Sequence, residues 1–357
     1  MPGPAAVSVT ALRPSAAQPL LLPEGGTATV AQVEYEGRPY LFKRYHDEHR
    51  SAVRPGELDR LIAWQTRGSR ADQQVMNAIA AWPRYAVWDR DGLAGMLIRP
   101  APGAYFHRDR PRALDMLPDP GDGRPGERRD ALAIRLNAFG HLVAAITWFH
   151  DRGVMINDLH AHNVLVSRFG DGVHLVDCDS MTGLHWRPVL PPPRNVAPDA
   201  MRAVIPGVDD PSQATDFARL AYVIISLLAG DEMEEIGEPT VEQLAGMIGD
   251  PMARFLCKAL AMVVPVDDAD RVWRVLGRSW REVAVWATAG GAEVTEPEPL
   301  WEPPLGTLLP PGFTFPRLDL SMLERPLVVP PQSVLERKRS GGVRAFLNRR
   351  FGVRWTI

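Results

Sequence analysis

Short runs of alternating apolar and polar residues dominate the first hundred positions of the chain. Residues 27–35 and 40–45 form one predicted pair of β-strands, and residues 85–89 and 95–99 form a second pair, each across a turn that contains glycine. Between the pairs, residues 56–82 carry leucine, isoleucine and tryptophan at helical spacing. The pattern predicts an antiparallel sheet that carries a helix.

Helical periodicity replaces this pattern after residue 130. An apolar stripe runs through residues 131–150, two short β-runs follow at 163–167 and 174–176, and helices dominate from there to about residue 289. Residues 100–126, rich in Pro, Gly, Asp and Arg, predict a linker with an exposed loop. The expected fold class is therefore α+β, with a small antiparallel β-rich lobe followed by a larger helical lobe.

Changes in composition divide the chain into five parts. These are an N-terminal extension at 1–19, the β-rich lobe at 20–100, the helical lobe at 101–290 with an exposed loop at 103–128, a proline-rich linker or tail at 291–333, and a basic amphipathic segment at 334–357. Proline-rich chain favours an extended conformation that can pack on a surface. The proline-rich tail is therefore a candidate contact for another protein.

The charge balance excludes some classes of partner. Forty basic against 43 acidic residues leave a net charge of −3, which provides no global field to attract nucleic acid or an anionic membrane. The longest apolar helical run, 220–230, is shorter than the roughly 20 residues of a membrane span, and the start lacks the pattern of a signal peptide. Two cysteines are too few for a disulfide framework, so we expect reduced thiols in a cytoplasmic protein.

Two carboxylates and an amide gather around one predicted β-hairpin. Asp158 and Asn163 lie five residues apart at its mouth, and Asp177 follows its return strand. Phosphoryl transfer needs one carboxylate to accept the proton of the attacking hydroxyl. It also needs an amide and a second carboxylate to bind the magnesium ion on the phosphates.

These residues resemble the motifs of the protein kinase-like superfamily. The resemblance implies a bilobal protein kinase-like fold, a bound nucleotide, and ATP and Mg²⁺ as cofactors, with Asp158 as the catalytic aspartate and Asn163 and Asp177 as metal ligands. The dipeptide Ile156-Asn157 stands where the superfamily usually has His-Arg, so a phosphate on the following segment would find no arginine there.

Two further positions depart from the usual pattern. His160 replaces the usual lysine, as in relatives that phosphorylate small molecules. Cys178-Asp179 replaces the usual Phe-Gly after the metal-binding aspartate.

A loop and a lysine upstream extend the resemblance. Gly25 and Gly26 lie where a phosphate-covering loop is expected, and Val30 is the residue that would pack on the adenine. Thirteen residues later, Lys43 resembles the lysine that orients the phosphates and completes the catalytic set with Asp158.

Lysine is rare in this chain, which otherwise uses arginine as its cation. It occurs at Lys43, Lys258 and Lys338 alone, which suggests that position 43 needs a compact ammonium where a planar guanidinium would not fit. We expect its carboxylate partner on the following helix, with Glu57 as the first choice and Asp59 as the alternative.

Downstream residues continue the same order of landmarks. Ala197-Pro198-Asp199 resembles the tripeptide that closes the activation segment. Asp216 opens an apolar helix that looks like the one whose aspartate anchors the catalytic loop. The resemblance also implies a buried structural ion pair between Asp199 and Arg271.

The resemblance implies ATP- and Mg²⁺-dependent phosphoryl transfer to a hydroxyl, with a protein Ser/Thr hydroxyl as the favoured acceptor. Two alternatives stay open. One is a small-molecule phosphotransferase of the aminoglycoside or choline type, which His160 supports. The other is a pseudokinase that serves as an interaction module through its proline-rich tail, which the degraded glycine loop supports.

Overall fold

A computed structural model describes residues 6–15, 26–121, 124–190, 211–229, 238–262 and 264–288 of the chain. Within these residues the protein is mixed α+β, with a curled six-stranded sheet in the N-terminal part and mostly helices after it. The α+β fold class that the sequence predicts is confirmed. The proline-rich part at 291–333 and the basic segment at 334–357 lie outside the described residues.

The six-stranded sheet has the order β1-β5-β6-β4-β3-β2. Its strands are β1 Ala6–Ser8, β2 Arg13–Pro14, β3 Ala28–Tyr35, β4 Arg38–Tyr45, β5 Pro83–Asp89 and β6 Gly92–Ile98. All neighbours are antiparallel except β1, which runs parallel to β5. Both predicted strand pairs are therefore present, and β4 lies near the centre of the sheet, where its side chains are best fixed.

Residues 6–8 and 13–14 are strands of the sheet, so the assignment of 1–19 to an extension outside the β-rich lobe is wrong for them. β1 pairs with one edge of the four-stranded centre and β2 pairs with the other edge. Between these two strands, Val9 and Leu12 pack on the apolar cluster that covers one face of the sheet. The segment shows no strand periodicity because backbone hydrogen bonds alone can add a strand to an open edge.

The helices are α1 Asp47–Arg50, α2 Pro55–Arg67, α3 Arg70–Ile79, α4 Pro125–His150, α5 Gln213–Ala229, α6 Glu238–Ile248, α7 Asp250–Leu260 and α8 Val266–Thr288. The single helix predicted at 56–82 is two helices, since Ser69 caps α3. Its Oγ accepts a hydrogen bond from the amide of Asp72 at 3.1 Å, and Asp72 Oδ2 accepts one from the amide of Ser69 at 3.3 Å. This reciprocal cap starts a new helix and ends the old one.

Three short hairpin-like pairs connect the helices to the sheet. They are β7 Phe106–His107 with β8 Arg110–Pro111, β9 Val154–Met155 with β12 Thr182–Gly183, and β10 Val164–Val166 with β11 Val173–Leu175. The predicted exposed loop at 103–128 is partly wrong, because Leu114 and Leu117 are buried in the core. The main-chain oxygen of Arg112 also accepts a hydrogen bond from the amide of Val166 at 2.9 Å.

One main core joins the inner face of the sheet to the helices. Within it, α4 and α8 cross at Gly140 and Gly277, where a β-carbon on Gly140 would lie 2.6 Å from the oxygen of Gly277. Large rings fill the surrounding space, including Trp82, Phe139, Phe149, Trp273 and Trp280. The close crossing holds the end of α4, and with it the chain that follows His150, against the rest of the helices.

One helix among the described residues, Gly126–His150 within α4, is long and apolar enough to cross a membrane by length and composition. The sequence pattern had placed the longest apolar run at 220–230 instead. In the structure 72% of the apolar window of this helix is buried inside the protein, as is common for a core helix. The helix therefore gives no clear membrane span.

Candidate functional site

Lys43 is a buried lysine on the central strand β4. Its Nζ lies 2.8 Å from Oδ1 of Asp179 and 3.2 Å from Oδ1 of Asp177. Burial alone would lower the pKa of Lys43, but the carboxylates of Asp177 and Asp179 outweigh burial and raise the pKa above its ordinary value. The side chain is therefore a fixed cation, which is the charge that a phosphate requires.

Val30 lies on β3, the strand that pairs with the strand of Lys43, and Gly26 lies just before β3. Val30 is directly opposite Lys43 in the β3–β4 pairing, so both side chains point to the same face of the sheet. Gly26 precedes β3, and its oxygen lies 3.2 Å from Nε2 of His49. Gly25, the other glycine predicted to cover phosphates, lies outside the described residues.

Asp177 follows β11 in the left-handed conformation, with a φ of 56°. Nearly half of its side chain, 46%, is exposed, although one oxygen contacts Lys43. A positive φ is uncommon outside glycine, and aspartate is one of the residues that tolerate it. The backbone therefore turns sharply at Asp177 and leaves part of its carboxylate open to a ligand.

Asn163 and Asp158 form a hydrogen-bonded pair. Asn163 Nδ2 donates to the main-chain oxygen of Asp158 at 2.9 Å and to its carboxylate Oδ2 at 3.1 Å. The main-chain oxygen of Asn163 accepts from the amide of Val176 at 2.9 Å, which holds Asn163 beside the residue that precedes Asp177. The amide Oδ1 of Asn163 accepts no hydrogen bond from the described residues, so this oxygen can serve a metal ion.

Asp216, at the start of α5, anchors the chain just before Asp158. Its side chain is fully buried, and its two oxygens accept hydrogen bonds from the amides of Ile156 at 2.7 Å and Asn157 at 2.9 Å. His150 Nε2 contacts the same carboxylate at 2.9 Å. The aspartate that opens this helix thus bonds the backbone just before Asp158, as the sequence analysis expects.

Asn157 is a site residue whose role the sequence does not reveal. It has a φ of 64°, and the amide of Asp158 donates to the oxygen of Ile156 across it at 2.8 Å. Its Nδ2 donates to the main-chain oxygen of Ser180 at 2.8 Å and to Oγ1 of Thr182 at 2.6 Å. Asn157 therefore joins the loop of Asp158 to the segment that follows Asp177.

The predicted partnership between Glu57 and Lys43 is wrong. Glu57, on α2, accepts a hydrogen bond from Nη1 of Arg60 at 2.8 Å and another from the amide of Arg187 at 2.9 Å. The carboxylates that contact Lys43 come from residues 177–179, because the turn at Asp177 directs this segment back beneath β4. The sequence signal for this partner is Asp179 itself, a second aspartate two residues after Asp177, at a position where the superfamily motif usually has glycine.

Two histidines lie beside Asp158. His160 Nε2 is 3.9 Å from Asp158 Oδ2, and His162 Nδ1 is 3.5 Å from Asp115 Oδ2. Burial lowers the pKa of His160, even though the carboxylate of Asp158 acts in the opposite direction. The side chain therefore adds little positive charge beside Asp158 near pH 7.

The predicted ion pair between Asp199 and Arg271 cannot be described, since Asp199 lies outside the described residues. Arg271 has 54% of its side chain exposed and pairs with Asp268 at 3.2 Å, so the expectation of a buried arginine is wrong. A different arginine of α8 joins the helices: Arg274 contacts both carboxylate oxygens of Asp151, at 2.7 and 3.2 Å.

The donor set suits a magnesium ion and a phosphate chain. Asp177 offers a half-exposed carboxylate and Asn163 an amide oxygen, which are the hard oxygen ligands that Mg²⁺ prefers. The cation Lys43 contacts two carboxylates, Asp177 and Asp179, and Asp158 adds a third carboxylate to the site through its bond to Asn163. This excess of negative charge would repel a polyphosphate unless a divalent cation accompanied it.

Comparison with known proteins adds no family to these observations. Neither the scan against protein-family models nor the search of curated proteins finds a match to this chain.

Proposed function

We propose that this protein transfers the terminal phosphate of ATP to a hydroxyl group in a Mg²⁺-dependent reaction, most favourably to a protein Ser or Thr hydroxyl. The observation that carries the proposal is that residues from separate segments of the chain contact one another in one site. Lys43 from the sheet contacts Asp177, while Asn163 contacts Asp158 and is hydrogen-bonded through its backbone to Val176. These four side chains supply the cation, metal ligands and base that phosphoryl transfer requires.

Each side chain has a role that its environment supports. Lys43, buried and held by two carboxylates, would orient the phosphates of the nucleotide. Asp177 and Asn163 would hold Mg²⁺, which neutralises the charge on the phosphate oxygens when it is bound. Asp158 would orient the acceptor hydroxyl and take up its proton, with Asn163 Nδ2 fixing the direction of the carboxylate.

The finer fold that we propose is a bilobal protein kinase-like fold. The curled sheet with α2 and α3 would be the small lobe, and α4 to α8 would belong to the large lobe. Val30, opposite Lys43, would contact the adenine, and Gly26 would belong to the loop over the phosphates.

Two alternatives are separated by particular residues. The contacts of Asp216 with the amides of Ile156 and Asn157 favour a protein kinase-like site, since small-molecule phosphotransferases generally lack this anchor. Neutral His160 in place of a lysine favours a small-molecule acceptor. A pseudokinase would not need Lys43, Asp158, Asn163 and Asp177 together, because a binding module has no use for a base.

The proposal is tested with purified protein, radiolabelled ATP and Mg²⁺, scored for autophosphorylation and for transfer to a generic Ser/Thr protein substrate and to choline and aminoglycoside acceptors. The parent should incorporate phosphate, Asp158→Ala should not, and the matched carboxylate variant Asp115→Asn should behave as the parent. Transfer to a small molecule alone would support that alternative. No transfer by the parent to any acceptor, with tight nucleotide binding, would favour the pseudokinase.

A further inference from the structure

We infer that Asp179 is the positioning residue for Lys43, so that the carboxylate that fixes the lysine belongs to the same segment as Asp177 and not to α2. The inference deepens the proposed function and rests on it for its meaning in catalysis. It makes Asp177-Cys178-Asp179 a unit with two tasks: the first aspartate is left open for a metal ion, and the second fixes the lysine.

The two aspartates differ in what their oxygens can still bind. Both oxygens of Asp179 are engaged, Oδ1 by Lys43 Nζ at 2.8 Å and Oδ2 by the hydroxyl of Tyr45 at 3.0 Å. Its side chain is 6% exposed, whereas that of Asp177 is 46% exposed. A carboxylate that is buried and satisfied serves as a fixed partner, while the exposed one can accept a cation.

Tyr45 completes the arrangement from the same strand as Lys43. Residues two apart on a strand point to the same face, so Lys43 and Tyr45 reach Asp179 side by side from β4. Burial raises the pKa of Tyr45, and the charge of Asp179 raises it further, so the hydroxyl keeps its proton and remains a donor. Tyr45 therefore orients Asp179 as Asp179 orients Lys43.

The helix carboxylate Glu57 has another partner, which is itself part of this segment. Glu57 accepts from the amide of Arg187 at 2.9 Å, and the amide of Arg54 donates to the oxygen of Val189 at 2.8 Å. The amide of Val189 in turn donates to the main-chain oxygen of Asp179 at 2.9 Å. Helix α2 thus supports the segment from outside and does not supply the carboxylate of the site.

This arrangement has a regulatory consequence. If a helix carried the carboxylate partner of the lysine, a movement of that helix could form or break the pair and switch the site. Here the partner is two residues from the metal-binding Asp177, so the positions of Lys43 and Asp177 are set by one short segment. We therefore expect an enzyme that is assembled without an activating movement of α2.

The first test measures the reactivity of Lys43 and needs no enzymatic activity. The protein is treated with an N-hydroxysuccinimide ester and the modified fraction of each lysine is read by peptide mass spectrometry. The chain has three lysines, and the buried Lys258 serves as an internal control for global unfolding. Asp179→Asn should raise the modified fraction of Lys43 above that of the parent, because Nζ loses the buried carboxylate that holds it at 2.8 Å.

Glu57→Gln is the matched control, since it removes one carboxylate of the same neighbourhood. It should leave the reactivity of Lys43 within about twofold of the parent, because Glu57 bonds Arg60 and the amide of Arg187 and has no contact with Lys43 among the described residues. Should Glu57→Gln expose Lys43 as much as Asp179→Asn does, or Asp179→Asn leave it unchanged, the inference is wrong. If Asp179→Asn does not fold, Tyr45→Phe decides in its place, because it frees one oxygen of Asp179 and should also accelerate the modification.

A double-mutant cycle gives an independent measurement. The changes in melting temperature caused by Lys43→Met and Asp179→Asn should differ from their sum by about 5 °C in the double variant, since the two groups are in contact. The changes caused by Lys43→Met and Glu57→Gln should simply add. Additivity in the first cycle would contradict the pair.

Phosphate transfer is then assayed on the same variants. Asp179→Asn should lose most of its rate and Glu57→Gln should retain it. If the parent shows no transfer activity, the proposed function is wrong. The labelling and the double-mutant cycle still test the pairing of Lys43 with Asp179, because neither needs activity.

Discussion

The side chain of Asn157 donates a hydrogen bond to the main-chain oxygen of Ser180 at 2.8 Å, and this bond ties the loop of Asp158 to the segment after Asp177. A short neutral amide makes this link at the position where kinases usually have an arginine. Both groups are neutral, so the link needs no added charge. Order in this segment is therefore a property of the unmodified chain.

The first prediction follows from that link. Phosphatase treatment should leave phosphate transfer within about twofold of the untreated enzyme, because the part-buried bond between Asn157 and Ser180 joins two neutral groups and needs no phosphate. The rate is compared before and after treatment, with removal of phosphate verified by mass spectrometry. A large loss of rate on dephosphorylation would show that a phosphate orders the segment.

The second prediction concerns Asp177, which the proposed function assigns to Mg²⁺ binding. Mg-ATP at one hundred times its Kd should stabilise the parent by about 2.7 kcal/mol, which corresponds to a rise of about 5–10 °C in the melting temperature. Asp177→Asn should lose most of that rise and keep the melting temperature of the ligand-free protein, because the side chain is half exposed. A thermal shift assay with and without Mg²⁺ makes the comparison, and an unchanged rise in the variant would remove Asp177 from the site.

The third prediction separates binding from transfer at Asp158. Asp158→Ala removes a proton acceptor and a positioning group but no contact to Lys43, so Mg-ATP binding should change little. The rate of transfer should fall by about 10²–10⁴-fold. Calorimetric titration of the nucleotide and a single-turnover assay measure the two quantities on the same sample. An equal loss of binding and rate would mean that Asp158 acts through the nucleotide site.

The fourth prediction concerns stability at Asp216. Replacing it by Asn puts an amide NH₂ group against one of the backbone amides of Ile156 and Asn157, so two buried donors would face each other. The free energy of unfolding should fall by about 2–4 kcal/mol, measured by urea denaturation. The control is Asp151→Asn, on a half-exposed ion pair with Arg274, which should cost under about 1 kcal/mol. Similar losses in both variants would count against the anchoring role of Asp216.

The fifth prediction is a pH dependence that starts from His174. Burial lowers the pKa of this histidine below the ordinary 6.5, Nδ1 bonds the oxygen of Ala78 at 3.0 Å, and Nε2 is buried without a partner among the described residues. Below pH 6.5 the unfolded chain takes up a proton that the folded chain resists, so stability is lost as the pH falls from 6.5 toward the lowered pKa. The melting temperature should drop between pH 7.5 and 5.5.

His174→Asn tests the source of that drop, since an amide can keep the hydrogen bond to Ala78 and does not titrate. The drop in melting temperature should be smaller in the variant than in the parent. An identical drop would assign the pH dependence to other buried histidines, such as His141 and His160, whose pKa values burial also lowers.

The sequence predicts a contact of this site when the two residues are close together along the chain, and does not predict it when they are far apart. Asp158 and Asn163 lie on one turn, so their spacing alone indicates that they meet. The partner of Lys43 lies 136 positions away, and only the path of the folded chain selects Asp179 over Glu57. Asn157 is ambiguous for a similar reason, since an asparagine in a loop has many local partners and its bond to Ser180 depends on a second segment.

The fold shows the same division. Strands β3 to β6 carry their own alternation and turns, so they are predictable locally. Strands β1 and β2 consist of two or three residues whose conformation is set by the edges that they join. Local sequence pattern cannot reveal a strand that forms only because the edge of a sheet offers it unpaired backbone groups.

The position of β1 also constrains how the protein folds during synthesis. Ala6 pairs with Ala86, so β1 has no partner in the sheet until about eighty more residues have been made. At about 5–20 residues per second this takes about 4–16 s, during which the N-terminal segment stays unpaired. β1 can therefore dock only after β5 has been made, and a translational pause shortly after β6 would give it time to join the sheet before α4 to α8 emerge.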